Sequence, residues 1–253
     1  MDITLTSKSL SHNGIKIFLI GQIENTVTTI KKITQFISLS KDLAPPGTIT
    51  QQVARIPFSF SNVELAYESY LGIRFNVRYI LKVTIATSIR SLSWENEFGV
   101  VHPKSKEILD ICNPEVKMEI GIGDWLRLSF VLDKKVVSTK GICTGKVIFK
   151  RATMKLKSMI LQIIRKETVI GGDVDNAVLC RYEIMDGAPM NNEEIPIRFF
   201  LSPYELTPTY DNVNNKFSVK YYINLVLFDT SDERYFKQSE IILVRIPRVP
   251  VKK

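Results

Sequence analysis

The chain has 253 residues, 45% of them apolar and 24% charged, so it is neither a disordered nor a collagen-like sequence, and it carries enough apolar material for one large core or two smaller ones. Thirty-four Lys and Arg against 26 Asp and Glu leave a net +8, which fits a nucleic-acid surface, an anionic membrane surface or a basic soluble protein, and does not choose among them. Cys112, Cys143 and Cys180 lie far apart with no CxxC and only His12 and His102 to assist, which excludes a zinc site built from local spacing.

Along the chain, the first residues lack a basic stretch followed by an apolar one, and no apolar run reaches the roughly 18 residues of a membrane span, so a cytosolic, non-secreted protein is expected. Ile15, Ile17 and Leu19 alternate with polar neighbours and predict a short strand. Residues 30–43 are the one stretch whose apolar spacing suits a helix, although Ser38 and Ser40 weaken that reading. A turn follows at Ala44-Pro45-Pro46-Gly47.

From Phe75 a strict alternation, Phe75, Val77, Tyr79, Leu81, Val83 and Ile85, predicts a long half-buried strand. A polar segment with proline near residues 110–114 suggests a boundary, dividing the chain into domains of residues 1–115 and 116–253. The first carries 12 basic and 10 acidic side chains and the second 22 and 16, so most of the positive excess lies in the second. Turn clusters at Asp186-Gly187-Ala188-Pro189, Thr207-Pro208-Thr209 and residues 211–215 punctuate the rest, and Val219, Tyr221, Ile223, Leu225 and Leu227 predict another strand. Many strands and no alternation of helix with strand point to an all-β fold of sandwiches.

Chemistry has no constellation to stand on. Phosphate-loop, HExxH and GxSxG patterns are absent, and Gly121 and Gly123 lie in a strand pattern with no helix after them. The acidic pairs Glu193-Glu194 and Asp232-Glu233 read as solvated turns, His12 as a turn residue and His102 as a strand terminus. The basic groups Lys150, Arg151, Lys155 and Lys157, then Arg165 and Lys166, then Arg245, Arg248, Lys252 and Lys253 read as solvated strand faces and a frayed tail, because no exposed aromatic pattern or groove-entering helix accompanies them. No catalytic residue, cofactor or metal is expected.

Ordered motifs add a resemblance. HNGIKIFLIGQIE, LAPPGTITQ, YESYLGIRFNVRY, VKMEIGIGD, YEIMDGAP, YELTPT, KFSVKYY and RYFKQ occur in that order, densest after Arg181. The chain resembles the vacuolar protein sorting-associated protein 26 family, the arrestin-like subunit of retromer. The resemblance implies two arrestin-like curved β-sandwich domains packed end to end, with Ile3-Thr4-Leu5 matching the end of the family's second strand and the first strand missing. Residues 133–153 diverge and carry no transferred role.

What the resemblance implies about function is a non-enzymatic cargo-selective subunit for endosome-to-Golgi and recycling transport. Its expected partners are the α-solenoid vacuolar protein sorting-associated protein 35, sorting nexins and the cytosolic tails of transmembrane cargo. Its expected place is the cytoplasm and the cytosolic face of endosomes, with indirect membrane association and no nucleic acid. Ile184 and Met185 would contact the solenoid from a loop, while Ile120 and Phe236, with main-chain groups near Met118 and Gly121, would form the groove for cargo and sorting nexin. Two alternatives are a basic β-sandwich that binds nucleic acid and the paralogous retriever-type subunit.

Overall fold

The computed structural model describes residues 1–27, 32–111 and 113–247. Cys112, Ile30 and the tail residues Arg248, Lys252 and Lys253, all singled out in the sequence, lie outside the described residues. The chain divides into two compact units, Met1–His102 and Pro103–Lys253. Residues 103–115 group with the second unit, where the Lys104 N–H donates to the Arg245 carbonyl at 2.7 Å and the Asn113 side chain bonds both the carbonyl and the N–H of Val136.

The first unit comprises β1 (Asp2–Thr4), β2 (Leu10–His12), β3 (Ile15–Asn25), β4 (Lys32–Ala44), β5 (Gly47–Ile49), β6 (Val53–Arg55), β7 (Tyr70–Leu71), β8 (Phe75–Ala86) and β9 (Ser91–Phe98). Its main sheet runs β4-β3-β8-β7, with β9 also paired to β8, and β1–β6 and β2–β5 form short separate ladders. The alternation seen in the sequence places Ile15, Ile17, Leu19 and Ile23 of β3 on one face, opposite Ile85 through Val77 of β8 in register. Tyr79 is fully buried there because its hydroxyl donates to the Tyr67 carbonyl at 2.6 Å and accepts from the Tyr67 N–H, so no polar atom is stranded.

The helical reading of residues 30–43 is corrected, since Lys32–Ala44 is strand β4. Its pairing with β3 slips by one residue at two bulges, where Phe36 and Leu43 are the extra residues. Each bulge breaks the two-residue alternation, so the apolar positions Ile33, Phe36, Ile37 and Leu43 fall at spacings that imitate a helix.

The second unit comprises a single 3-10 turn (Lys106–Leu109) and β10 (Val116–Ile122), β11 (Leu126–Leu132), β12 (Val136–Ser138), β13 (Ile142–Ala152), β14 (Leu156–Val169), β15 (Val174–Asp186), β16 (Glu194–Phe200), β17 (Tyr210–Val213), β18 (Phe217–Asp229) and β19 (Arg234–Val244). One sheet has the order β10-β11-β13-β16, the other β12-β19-β18-β14-β15, with β17 also on β18. All pairs are antiparallel except β12 with β19. The predicted strand at residues 219–227 is β18, and every one of Val219, Tyr221, Ile223, Leu225 and Leu227 is fully buried, joined from the other sheet by Leu128, Phe130, Val147 and Phe149. Burying each such side chain contributes about 1.5–3 kcal/mol. The all-β sandwich expectation is met.

Candidate functional site

The glycine-bearing segment at residues 119–124 is not a phosphate loop. Strand β10 runs to Ile122 and turns at Gly123, whose φ of +50° lies in the left-handed region that glycine tolerates, directly into β11. Met118 faces the core at 4% exposure, Ile120 is half-buried and Gly121 is exposed. A Cβ built at Gly121 would meet nothing within 4 Å, so internal packing does not demand glycine there. Among the described residues β10 is hydrogen-bonded only to β11, which leaves its other edge open, and β19 lies near it. On β19 Phe236 is 61% exposed, with the Arg234 guanidinium 5.8 Å from its ring centre, so Phe236 is not core material.

Ile184 and Met185 are the last residues before Asp186 at the end of β15, which the structure continues as strand where a loop was expected. The reason is β14, which extends far enough to pair Met159 with Met185 and Ser158 with Asp186. A bulge at Ile184 nevertheless breaks the alternation, so Ile184 and Met185 are not forced to opposite faces, and both are half-buried. The chain then turns at Gly187, φ +94°, whose N–H donates to the Lys157 carbonyl at 2.7 Å.

Register ties the two candidate surfaces together. Tyr235 pairs with Leu227, Leu227 with Met159, and Met159 with Met185, and the next rung links Phe236 through Val226 and Ile160 to Glu183. The exposed Phe236 and the Ile184-Met185 pair thus lie on neighbouring rungs at opposite sides of the sheet, three strand spacings or about 14 Å apart.

The other sequence candidates have ordinary roles. Lys150 pairs with Glu119 at 3.0 Å, Lys157 with Asp232 at 2.6 Å and Lys146 with Glu194 at 3.0 Å, and the Lys166 ammonium sits 4.2 Å over the Tyr222 ring. Glu193 accepts the Met190 N–H and Glu233 accepts the Tyr235 hydroxyl. His12 accepts the Gly14 N–H, and the His102 N–H donates to Glu68 at 2.7 Å. Among the described residues no three His, Cys, Asp or Glu side chains are placed to hold a metal, and no helix is long and apolar enough to cross a membrane.

A polar network that motif reading missed crosses β3, β8 and β9. Arg78 bonds Glu97 and, at 2.9 Å, the buried Glu24, which also accepts from Gln22. The bond to Glu97 first, and then that to Glu24, outweighs desolvation and holds the guanidinium firmly protonated. The only trace of this network in the sequence is Gln22 and Glu24 interrupting an apolar run.

The sequence profile of vacuolar protein sorting-associated protein 26 matches residues 1–232. This chain belongs to that family. It is 45% identical over 242 residues to vacuolar protein sorting-associated protein 26B of Homo sapiens, covering 94% of this chain and 70% of the relative. With the 26B protein of Arabidopsis thaliana the identity is 42% over 242 residues, covering 94% and 78% of the two chains. The 26B-A protein of Xenopus laevis gives 44% over 241 residues, covering 94% and 70%. Within the family, YEIMDGAP of this chain forms the end of β15 and the turn after it, and RYFKQ forms the start of β19.

Proposed function

We propose that this chain is the arrestin-like, non-enzymatic subunit of retromer, an adaptor that works by holding two partners at once. Ile184 and Met185 dock on the end of the α-solenoid subunit, vacuolar protein sorting-associated protein 35. The open edge of β10 receives an extended cargo tail beside a sorting nexin, with Phe236 and Ile120 reading one apolar side chain and the main chain near Met118 and Gly121 supplying hydrogen bonds. Such strand addition gives affinity from the backbone and selectivity from a pocket. The complex works on the cytosolic face of endosomes, held there through the sorting nexin.

The observation that carries this reading is the open β10 edge lying near the strand that bears the exposed Phe236, with the Ile184-Met185 pair across the same sheet. Two partners on opposite sides of one sheet do not compete for space. Lysines bridged to carboxylates on the strand faces favour an adaptor over a nucleic-acid surface.

The test is Ile184→Asp combined with Met185→Asn, which should abolish co-purification with the solenoid subunit while thermal unfolding stays within a few degrees of wild type. A double variant that still co-purifies would show that the docking residues are assigned to the wrong place. Phe236→Asp should leave the solenoid bound and weaken capture of a cargo tail in the presence of sorting nexin.

A further inference from the structure

One end of the second unit exposes two large apolar side chains that belong to neither candidate surface. Trp125 is 64% exposed in the turn between β10 and β11, and Met190 is 74% exposed between β15 and β16. Hydrogen bonds tie both turns to the segment that joins β13 to β14. The Trp125 carbonyl accepts the N–H groups of Thr153 and Met154, and the Ala152 N–H donates to the Asn191 side chain at 2.6 Å. Further along the same segment, the Lys155 carbonyl accepts from Thr230 and the Lys157 carbonyl from Gly187. The turns near residues 125, 154, 190 and 230 therefore form one rim, and Ile184 and Met185 lie on the strand that runs into it.

The charge on this rim selects the kind of partner. Arg127, Arg151, Lys155 and Lys157 are offset by Asp124, Asp186, Glu193 and Asp232, so an anionic bilayer or a nucleic acid gains no net attraction there. Exposed tryptophan and methionine set among arginines and mixed charges are the composition of a protein-binding surface. The turn that carries Met190 is also already held, because its N–H donates to Glu193 at 2.7 Å and the Asn192 N–H donates to the Phe149 carbonyl at 2.6 Å. Ordering it on binding costs little.

We propose that Trp125 and Met190 extend the docking surface of Ile184 and Met185 and anchor the same α-helical partner, each filling an apolar pocket between helices. This rests on the function proposed above.

Calorimetric titration into the purified solenoid subunit tests it, with Trp125→Ala, Met190→Ala and the Ile184→Asp, Met185→Asn double variant run beside wild type. Trp125→Ala should weaken binding roughly thirty-fold and Met190→Ala about five-fold, with unchanged unfolding midpoints, since both side chains are exposed. If the double variant loses binding while both alanine variants bind like wild type, the extension is overturned and the function stands. If all three bind like wild type, the docking surface falls and the extension with it. If Trp125→Ala keeps full affinity for the solenoid but releases wild-type binding to phosphatidylserine vesicles, the face is a membrane surface and the proposal is overturned.

Discussion

In residues 1–102 the buried apolar core comes mainly from β3 and β8, while their neighbours β4 and β9 are mostly exposed and leave Ile33, Leu39 and Trp94 in solvent. In residues 103–253 two sheets of four and six strands bury each other's inner faces. Among the described residues 11 apolar side chains are buried in the first unit and 32 in the second, a larger difference than their lengths explain. The first unit also carries an open groove of about 460 Å³ lined by Ile3, Leu5, Val83, Ile85, Leu92 and Trp94. The lesson is that the proposed binding surfaces sit on the denser unit, where strands fixed on both faces can hold side chains and a strand edge in place for a partner.

This contrast can be broken by mutation. Phe130→Ala in the second unit should cost about 3–5 kcal/mol, whereas Leu39→Ala on β4 should cost no more than about 1 kcal/mol, both read from urea denaturation. Equal losses would mean that the units are packed alike. Gly145→Ala should cost about 3 kcal/mol, because a Cβ at that position would clash with the Val131 carbonyl oxygen and lie 2.9 Å from the Leu132 Cα, both backbone atoms that cannot swing away. Gly121→Ala, with open space around its Cβ, should be neutral for stability and should weaken only strand addition at β10.

Within the first unit, Tyr79→Phe removes a buried hydroxyl that both donates to and accepts from Tyr67, and should cost about 1–1.5 kcal/mol. A further effect is alkaline. Burial, and then the neighbouring Cys180, pushes the Cys143 thiol from its ordinary 9.0 up to about 12. Above pH 9 the unfolded chain releases this proton while the native state keeps it, so the native state binds more protons and stability falls as pH rises toward 12. Between pH 9 and 10 the loss should be about 1 kcal/mol, and a Cys143→Ala variant should show a flatter slope.

How much of this was legible in the sequence depended on whether a strand kept its period. Strands β3, β8 and β18 announced themselves because each contains a run of alternating apolar residues, Ile15 to Leu19, Phe75 to Ile85 and Val219 to Leu227. Strand β4 did not, because its bulges at Phe36 and Leu43 convert a period of two into helix-like spacing. The candidate site followed the same rule in reverse. Ile184, Met185, Ile120 and Phe236 came from ordered motifs, since no periodicity marks an open edge or a bulge. Trp125 and Met190 carry no such mark, because a single residue in a turn has no period, and its exposure is set only once the neighbouring turns are in place.

Hydrogen exchange of the chain, free and bound to the solenoid subunit, tests the central claim most directly. Binding should slow exchange at residues 183–193 and around residues 123–126 and 152–157, and leave β4 and β9 at their free rates. Protection confined to residues 1–102, or absent from the end of β15, would contradict the account.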